Sequence, residues 1–140
     1  MQKKQCPTST ITLPLSTVIN SPVQFEIWQV RLDPTQGSEQ AGKRPCVILQ
    51  TNVVNHLGNT ILIAPVTSQK LDRSYSHHIV LAPSEKNGLS VLSKMKCDQV
   101  RVIDKTRLVK KMGIIEKIYY EKIFNALEII FDFRGDFREG

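Results

Sequence analysis

From residue 25 onward the chain is cut into short apolar runs by turn-forming residues, and no other feature constrains its fold as much. Runs at 26–32, 46–51, 60–66, 78–81, 89–92 and 99–103 are rich in Val, Ile, Leu or aromatics. Between them stand Asp33-Pro34, Gly37, Gly42, Asn55, Gly58-Asn59 and Asn87-Gly88. Runs of this length and composition, bounded by such breakers, predict strands. Only the C-terminal stretch keeps a helical period, with Ile115, Tyr119, Ile123, Ala126, Leu127 and Ile130 at three- and four-residue steps. That spacing predicts an amphipathic helix. The expected fold is mainly β: a small, strongly bent, barrel-like sheet with one helix packed over an open end.

The composition agrees with one globular core. At 140 residues, 41% hydrophobic and 23% charged, the chain needs neither disulfides nor a structural metal to fold. Cys6, Cys46 and Cys97 are an odd set without CxxC spacing, which argues against a disulfide framework or a zinc site and fits a reducing cytoplasm. Lys3 and Lys4 are followed by Thr, Ser and two prolines, where a signal peptide needs a continuous apolar run. No stretch approaches the ~20 apolar residues of a membrane helix. The expectation is a soluble cytoplasmic protein with no membrane association. Residues 1–22 read as a polar, loosely held extension, 23–133 as the folded domain and 134–140 as a charged tail.

The net charge is +6, and it is concentrated. Residues 70–111 carry ten Lys or Arg and four Asp or Glu, while the remainder is balanced. A segment of that kind suits a polyanion, because neutralising phosphates releases counterions. Residues 33–43, DPTQGSEQAGK, join the first two strands, and a connection of that length is longer than hairpins need and is usually functional.

The block EIWQVRLDPTQGSEQAGKRPCVILQTN at 26–52, followed by APVTS at 64–68 and DQVRVIDKTRL at 98–108, resembles the PemK/MazF family of toxin endoribonucleases. The resemblance extends over residues 25–133. It departs from the family at Phe25, where a glycine is common. It implies an SH3-like barrel that forms a homodimer, cuts single-stranded RNA at short sequences without a metal or cofactor, and is inhibited by a cognate antitoxin protein. Operator DNA would be met only through the antitoxin complex. By the same resemblance Arg44 and Thr67 are catalytic, Glu39 is a candidate for proton transfer, and Gln99 contacts RNA.

The chemistry of RNA cleavage through its own 2'-hydroxyl is consistent with these residue types. The 2'-oxygen must lose a proton, the phosphorane charge must be held, and the 5'-oxygen must gain a proton. Arg44 suits the electrostatic role, since a guanidinium offers planar paired donors and stays charged. The Thr67 hydroxyl can donate to a non-bridging oxygen, and Ser68 can add a second donor. Lys70, Lys96 and Arg101, from the basic segment, are expected to bind RNA beside Gln99. His77 and His78 are expected on opposite faces of a strand, unable to address one phosphate or one metal together. A gyrase-inhibiting toxin on the same barrel and a non-catalytic RNA-binding or autoregulatory module are the alternatives.

Overall fold

The computed structural model describes residues 21–33, 36, 37, 39 and 42–132. Seven strands form one antiparallel sheet: β1 (Glu26–Arg31), β2 (Lys43–Ile48), β3 (Thr60–Thr67), β4 (His78–Leu81), β5 (Ser93–Lys96), β6 (Arg101–Asp104) and β7 (Leu108–Ile114). Helix α1 (Asn52–Leu57) joins β2 to β3, and α2 (Tyr120–Phe131) follows a 3-10 turn at Lys117–Tyr119. The strand order is β4-β5-β3-β2-β1-β7, with β6 also on β3.

β3 is the central strand. Its first half pairs with β6, from Thr60↔Asp104 to Ile63↔Arg101, and its end pairs with β5 at Val66↔Met95 and Thr67↔Lys94. One strand serving two neighbours on the same edge bends the sheet sharply. The sheet does not close: β4 and β7 are its ends, so the barrel expected from the strand spacing is an open, strongly bent sheet. The gap is bridged by the turn at residues 84–88, where the Ile114 N–H donates to the Lys86 carbonyl at 2.8 Å. Glycines permit that approach. A Cβ on Gly113 would collide with the Lys86 and Asn87 backbone, and one on Gly88, at φ 76°, with Met112.

Two buried clusters lie on opposite faces. Ile27, Val47, Ala64, Val66, Met95, Ile123 and Ala126 belong to one, beneath α2. Val30, Cys46, Ile48, Ile61, Ile63 and Ile103 belong to the other, with Trp28 packed against it. Consecutive residues of β2 and β3 alternate between the two, as the pleat requires. Trp28 also donates its indole N–H to Glu26 Oε1 at 2.8 Å, in keeping with a packing role.

Several expectations are corrected. The strand expected at 89–92 begins instead at Ser93, because Leu89 is anchored in the core by the preceding turn while Val91 and Leu92 face solvent. β7 and α1 were not legible as elements. The helix begins at Tyr120, and Ile130 is exposed on it rather than buried. Ser21 and Pro22, at the end of the expected loose extension, are buried, and the Pro22 carbonyl accepts from Asn55 Nδ2 at 3.0 Å. The rest of the extension and the 134–140 tail lie outside the described residues. Phe25 holds φ 71°, a conformation that costs a side-chain-bearing residue and favours glycine. Its ring offsets that cost by packing on Tyr120, centroids 4.5 Å apart.

Candidate active site

The register that pairs Cys46 with Pro65 brings Arg44 of β2 opposite Thr67 of β3. Arg44 Nη1 stands 3.5 Å from Thr67 Oγ1. That hydroxyl also accepts from the Gln69 N–H at 3.2 Å, which fixes where the oxygen sits at the strand end. The base of the 33–43 loop is closed just before Arg44: Gly42 N–H donates to Asp33 Oδ1 at 3.0 Å, and Leu32 N–H to the Gly42 carbonyl at 2.9 Å. Arg107 ties the same base by donating to the Arg31 and Asp33 carbonyls. Arg44 therefore projects from ordered strand backbone.

Thr67 is the wall between two concavities. On one side a corner of about 140 Å³ is lined by Arg44, Thr67, Ser68, Leu89, Ser93 and Met112. On the other a cleft of about 470 Å³ is lined by Thr67, Lys70, Arg73, Lys94, Lys96 and Asp98, with Tyr75, His78 and Gln99 completing it. A third groove, about 300 Å³, holds Glu39 with Asp98, Gln99, Val100 and Arg101. Glu39 Oε1 accepts from the Gln36 N–H at 2.6 Å. The structure thus joins Arg44, Thr67 and Ser68 in one corner and Lys70 and Lys96 in the cleft. It puts Glu39, Gln99 and Arg101 together in the third groove.

Residues 23–131 match the family described as the PemK-like, MazF-like toxin of type II toxin-antitoxin systems. The chain belongs to this toxin family. It is 31% identical over 104 residues to the endoribonuclease MazF of Staphylococcus saprophyticus, covering 74% of this chain and 86% of that protein. It is 32% identical over 112 residues to the endoribonuclease MazF9 of Mycobacterium tuberculosis, covering 76% and 93%. Its fold is similar to that of MazF from Deinococcus radiodurans, with a TM-score of 0.69, 21% identity and coverage of 80% and 97%. It is also similar to an endoribonuclease from a mycobacterial species in complex with its cognate antitoxin, with a TM-score of 0.68, 17% identity and coverage of 82% and 99%.

Within this PemK/MazF-family chain, the histidine pair departs from expectation. His77 precedes β4 rather than sitting on it, so strand alternation does not separate the two rings. Their centroids are 4.6 Å apart, and their Nε2 atoms lie 3.9 Å (His77) and 3.4 Å (His78) from the Asp98 carboxylate. Among the described residues these three groups alone have metal-ligating spacing. The donor set does not suit a metal: His78 Nδ1 accepts from the Tyr75 N–H at 3.3 Å, so the neutral ring carries its proton on Nε2, which is buried 3.4 Å from Asp98 without a hydrogen-bond partner and offers no lone pair there. Burial, then Lys94, lowers the His78 pKa, with Asp98 opposing; the ring is neutral at pH 7.

Among the described residues the thiols are also out of play. Burial pushes Cys46 and Cys97 up to about 12, with Arg101 and Arg44 only partly offsetting this at Cys46. The basic segment does not act as one surface. Lys111 pairs with Glu26 at 2.9 Å and Arg107 holds the loop base, whereas Lys70, Arg73, Lys94 and Lys96 converge on the cleft. Burial of Lys94 had no signal in the sequence: its spacing of two from Lys96 places both lysines on one face of β5, yet only Lys94 is buried.

Proposed function

We propose that this toxin is a metal-independent endoribonuclease that cleaves single-stranded RNA at selected sequences, through attack of the 2'-hydroxyl on the adjacent phosphate. The observation that carries the reading is the Arg44–Thr67 pair, 3.5 Å apart in one corner. Arg44 directs guanidinium donors at the charge that develops on the phosphorane, and Thr67 donates its hydroxyl to a non-bridging oxygen; donors fixed in advance are the ones that lower such a barrier. Ser68, exposed on the same corner, contacts the RNA beside them. Because the guanidinium itself supplies the positive charge, this chemistry has no need of a metal ion.

Gln99, Arg101, Lys70 and Lys96 bind the RNA on either side of the corner. Glu39 shares the Gln99–Arg101 groove, which supports RNA positioning as its role. The toxin acts in the cytoplasm as a homodimer and is inhibited by a cognate antitoxin, as the antitoxin complex of its mycobacterial fold relative supports. Among the described residues no helix is long and apolar enough to cross a membrane. A gyrase inhibitor or a non-catalytic RNA-binding module would have no use for this pair, and the staphylococcal and mycobacterial relatives named above are endoribonucleases.

Mapping RNA ends after brief induction tests the reading. New 5'-hydroxyl ends at a short recurring sequence are expected. Growth arrest without new ends would overturn it.

A further inference from the structure

We propose that the cleft beside Thr67 is a phosphate-binding subsite that holds the RNA backbone next to the scissile phosphodiester, and that Lys94 is the residue that fixes it. The proposal rests on the Arg44–Thr67 reading for which bond is cut. β5 turns Met95 into the core and puts Lys94 and Lys96 on the opposite face, and Lys94 is the cross-strand partner of Thr67. Side chains directly opposite on paired strands lie about 5 Å apart at Cβ, so the lysine reaches the region one nucleotide along from the corner.

Lys94 is only 3% exposed. Its Nζ donates to the Lys70 carbonyl at 2.7 Å and the Arg73 carbonyl at 3.0 Å. Lys70 takes a left-handed φ of 53° in the turn that presents its carbonyl. An ammonium has three donors, and one remains for the cleft that Lys94 lines. Among the described residues no carboxylate lies within 4.0 Å of this nitrogen; Asp72 and Asp98 act on it from further away, and burial followed by Lys96 lowers its pKa. A buried cation that lacks a paired anion is costly. Here it stands among three more cations, Lys70, Arg73 and Lys96, in a cleft large enough for a nucleotide and continuous with Thr67. A phosphate entering the cleft supplies the missing counter-charge, and an RNA strand whose scissile phosphate occupies the corner supplies that phosphate in register. A free phosphate ion has the same chemistry, so the test separates the two sources.

The test uses the full chain and an RNA oligonucleotide that carries 2'-deoxyribose at the scissile position, so that binding is read without turnover. Single phosphates are replaced in turn by neutral methylphosphonate. For the unsubstituted protein, one position adjoining the scissile phosphate is expected to weaken binding about tenfold, the scale of one charge-assisted hydrogen bond. Lys94→Met is expected to weaken binding of the all-phosphate oligonucleotide by a similar factor and to add nothing when that one position is already neutral. If Lys94 only braces the turn at residues 70–73, Lys94→Met weakens every oligonucleotide equally and the proposal falls. It falls too if Lys94→Met abolishes binding of inorganic phosphate but leaves the oligonucleotide unaffected. Should circular dichroism show Lys94→Met unfolded, Lys96→Gln in the same cleft carries the test, with a smaller loss, about threefold, confined to the same position; an equal loss at all positions overturns the proposal. Cleavage of the matched all-ribose oligonucleotide is read separately, so failure to cut would count against the endoribonuclease reading and not against the subsite.

Discussion

The two concavities that meet at Thr67 are built differently. The corner is small and joins residues 23 positions apart, Arg44 and Thr67, through the β2–β3 register. The cleft is more than three times larger and gathers its cations from two places, Lys70 and Arg73 in the turn after β3 and Lys94 and Lys96 on β5. One guanidinium beside one hydroxyl is a geometry for holding a transition state, where tenths of an ångström matter. Four cations around an open cleft form a field that tolerates a flexible strand. On the proposed reading the contrast teaches that rate and affinity should be separable in this molecule, because they would depend on different residues on either side of one side chain.

The largest effect expected is from Arg44→Ala. Cleavage should fall about 100- to 1000-fold, measured as single-turnover rate, while affinity for a 2'-deoxy oligonucleotide changes little. A proportional loss of affinity would make Arg44 a binding residue and erase the contrast. Thr67→Ala removes one neutral donor and should lower the rate about tenfold or less. The Arg44→Ala/Thr67→Ala double variant should lose less than the product of the single losses, because both groups serve one charged species; strict additivity in a rate cycle would place them in different steps.

The cleft makes the opposite pattern. Replacing exposed Lys70 and Arg73 by Gln should leave the single-turnover rate at saturating RNA unchanged and reduce the log–log salt slope of binding by about 0.7 for each phosphate that is no longer neutralised. An unchanged slope from titrations at several salt concentrations would remove these side chains from the RNA path.

The smallest effect distinguishes the walls of the two sites by pH. Glu116 accepts from Ser84 Oγ at 2.6 Å and from buried Asn87 Nδ2 at 3.1 Å, and so braces the 84–88 turn from which the Leu89–Ser93 wall of the corner departs. Burial opposes its charge, but Ser84, Asn87 and Lys86 outweigh it and hold the pKa below the ordinary 4.5. A depressed carboxylate contributes stability that is fully present above 4.5 and is lost as pH falls through the lower folded value. The melting temperature should therefore drop below about pH 4.5, and Glu116→Gln should flatten that drop. An unaltered profile would remove the brace.

The candidate site was most legible where a block of residues resembles the toxin family. Arg44 and Thr67 lie just outside the apolar runs at 46–51 and 60–66, and it is the resemblance of the loop block and of APVTS that singled them out; their juxtaposition comes from the β2–β3 register. The sequence was least legible where tertiary contacts override local character. β7 carries Lys110 and Lys111 mid-strand and Gly113 near its end, so it reads as a charged loop; it is an edge strand, where exposed lysines are ordinary. β5 was displaced by four residues because Leu89, Val91 and Leu92 look like a strand, yet only Leu89 is buried. The Phe25 departure from glycine had a backbone cause that only φ reveals. Lys94 looked like one more surface cation among ten, and its burial depends on two carbonyls contributed by a turn more than twenty residues earlier.

The most direct test of the central claim compares two oligonucleotides that differ only at the scissile sugar, ribose in one and 2'-deoxyribose in the other, each incubated with the toxin in excess EDTA. The account predicts that the ribose substrate is cut to a 2',3'-cyclic phosphate and a 5'-hydroxyl, while its deoxy partner is bound with similar affinity and stays intact. Cleavage of the deoxy oligonucleotide, or cleavage of the ribose one only after a divalent ion is restored, would contradict it.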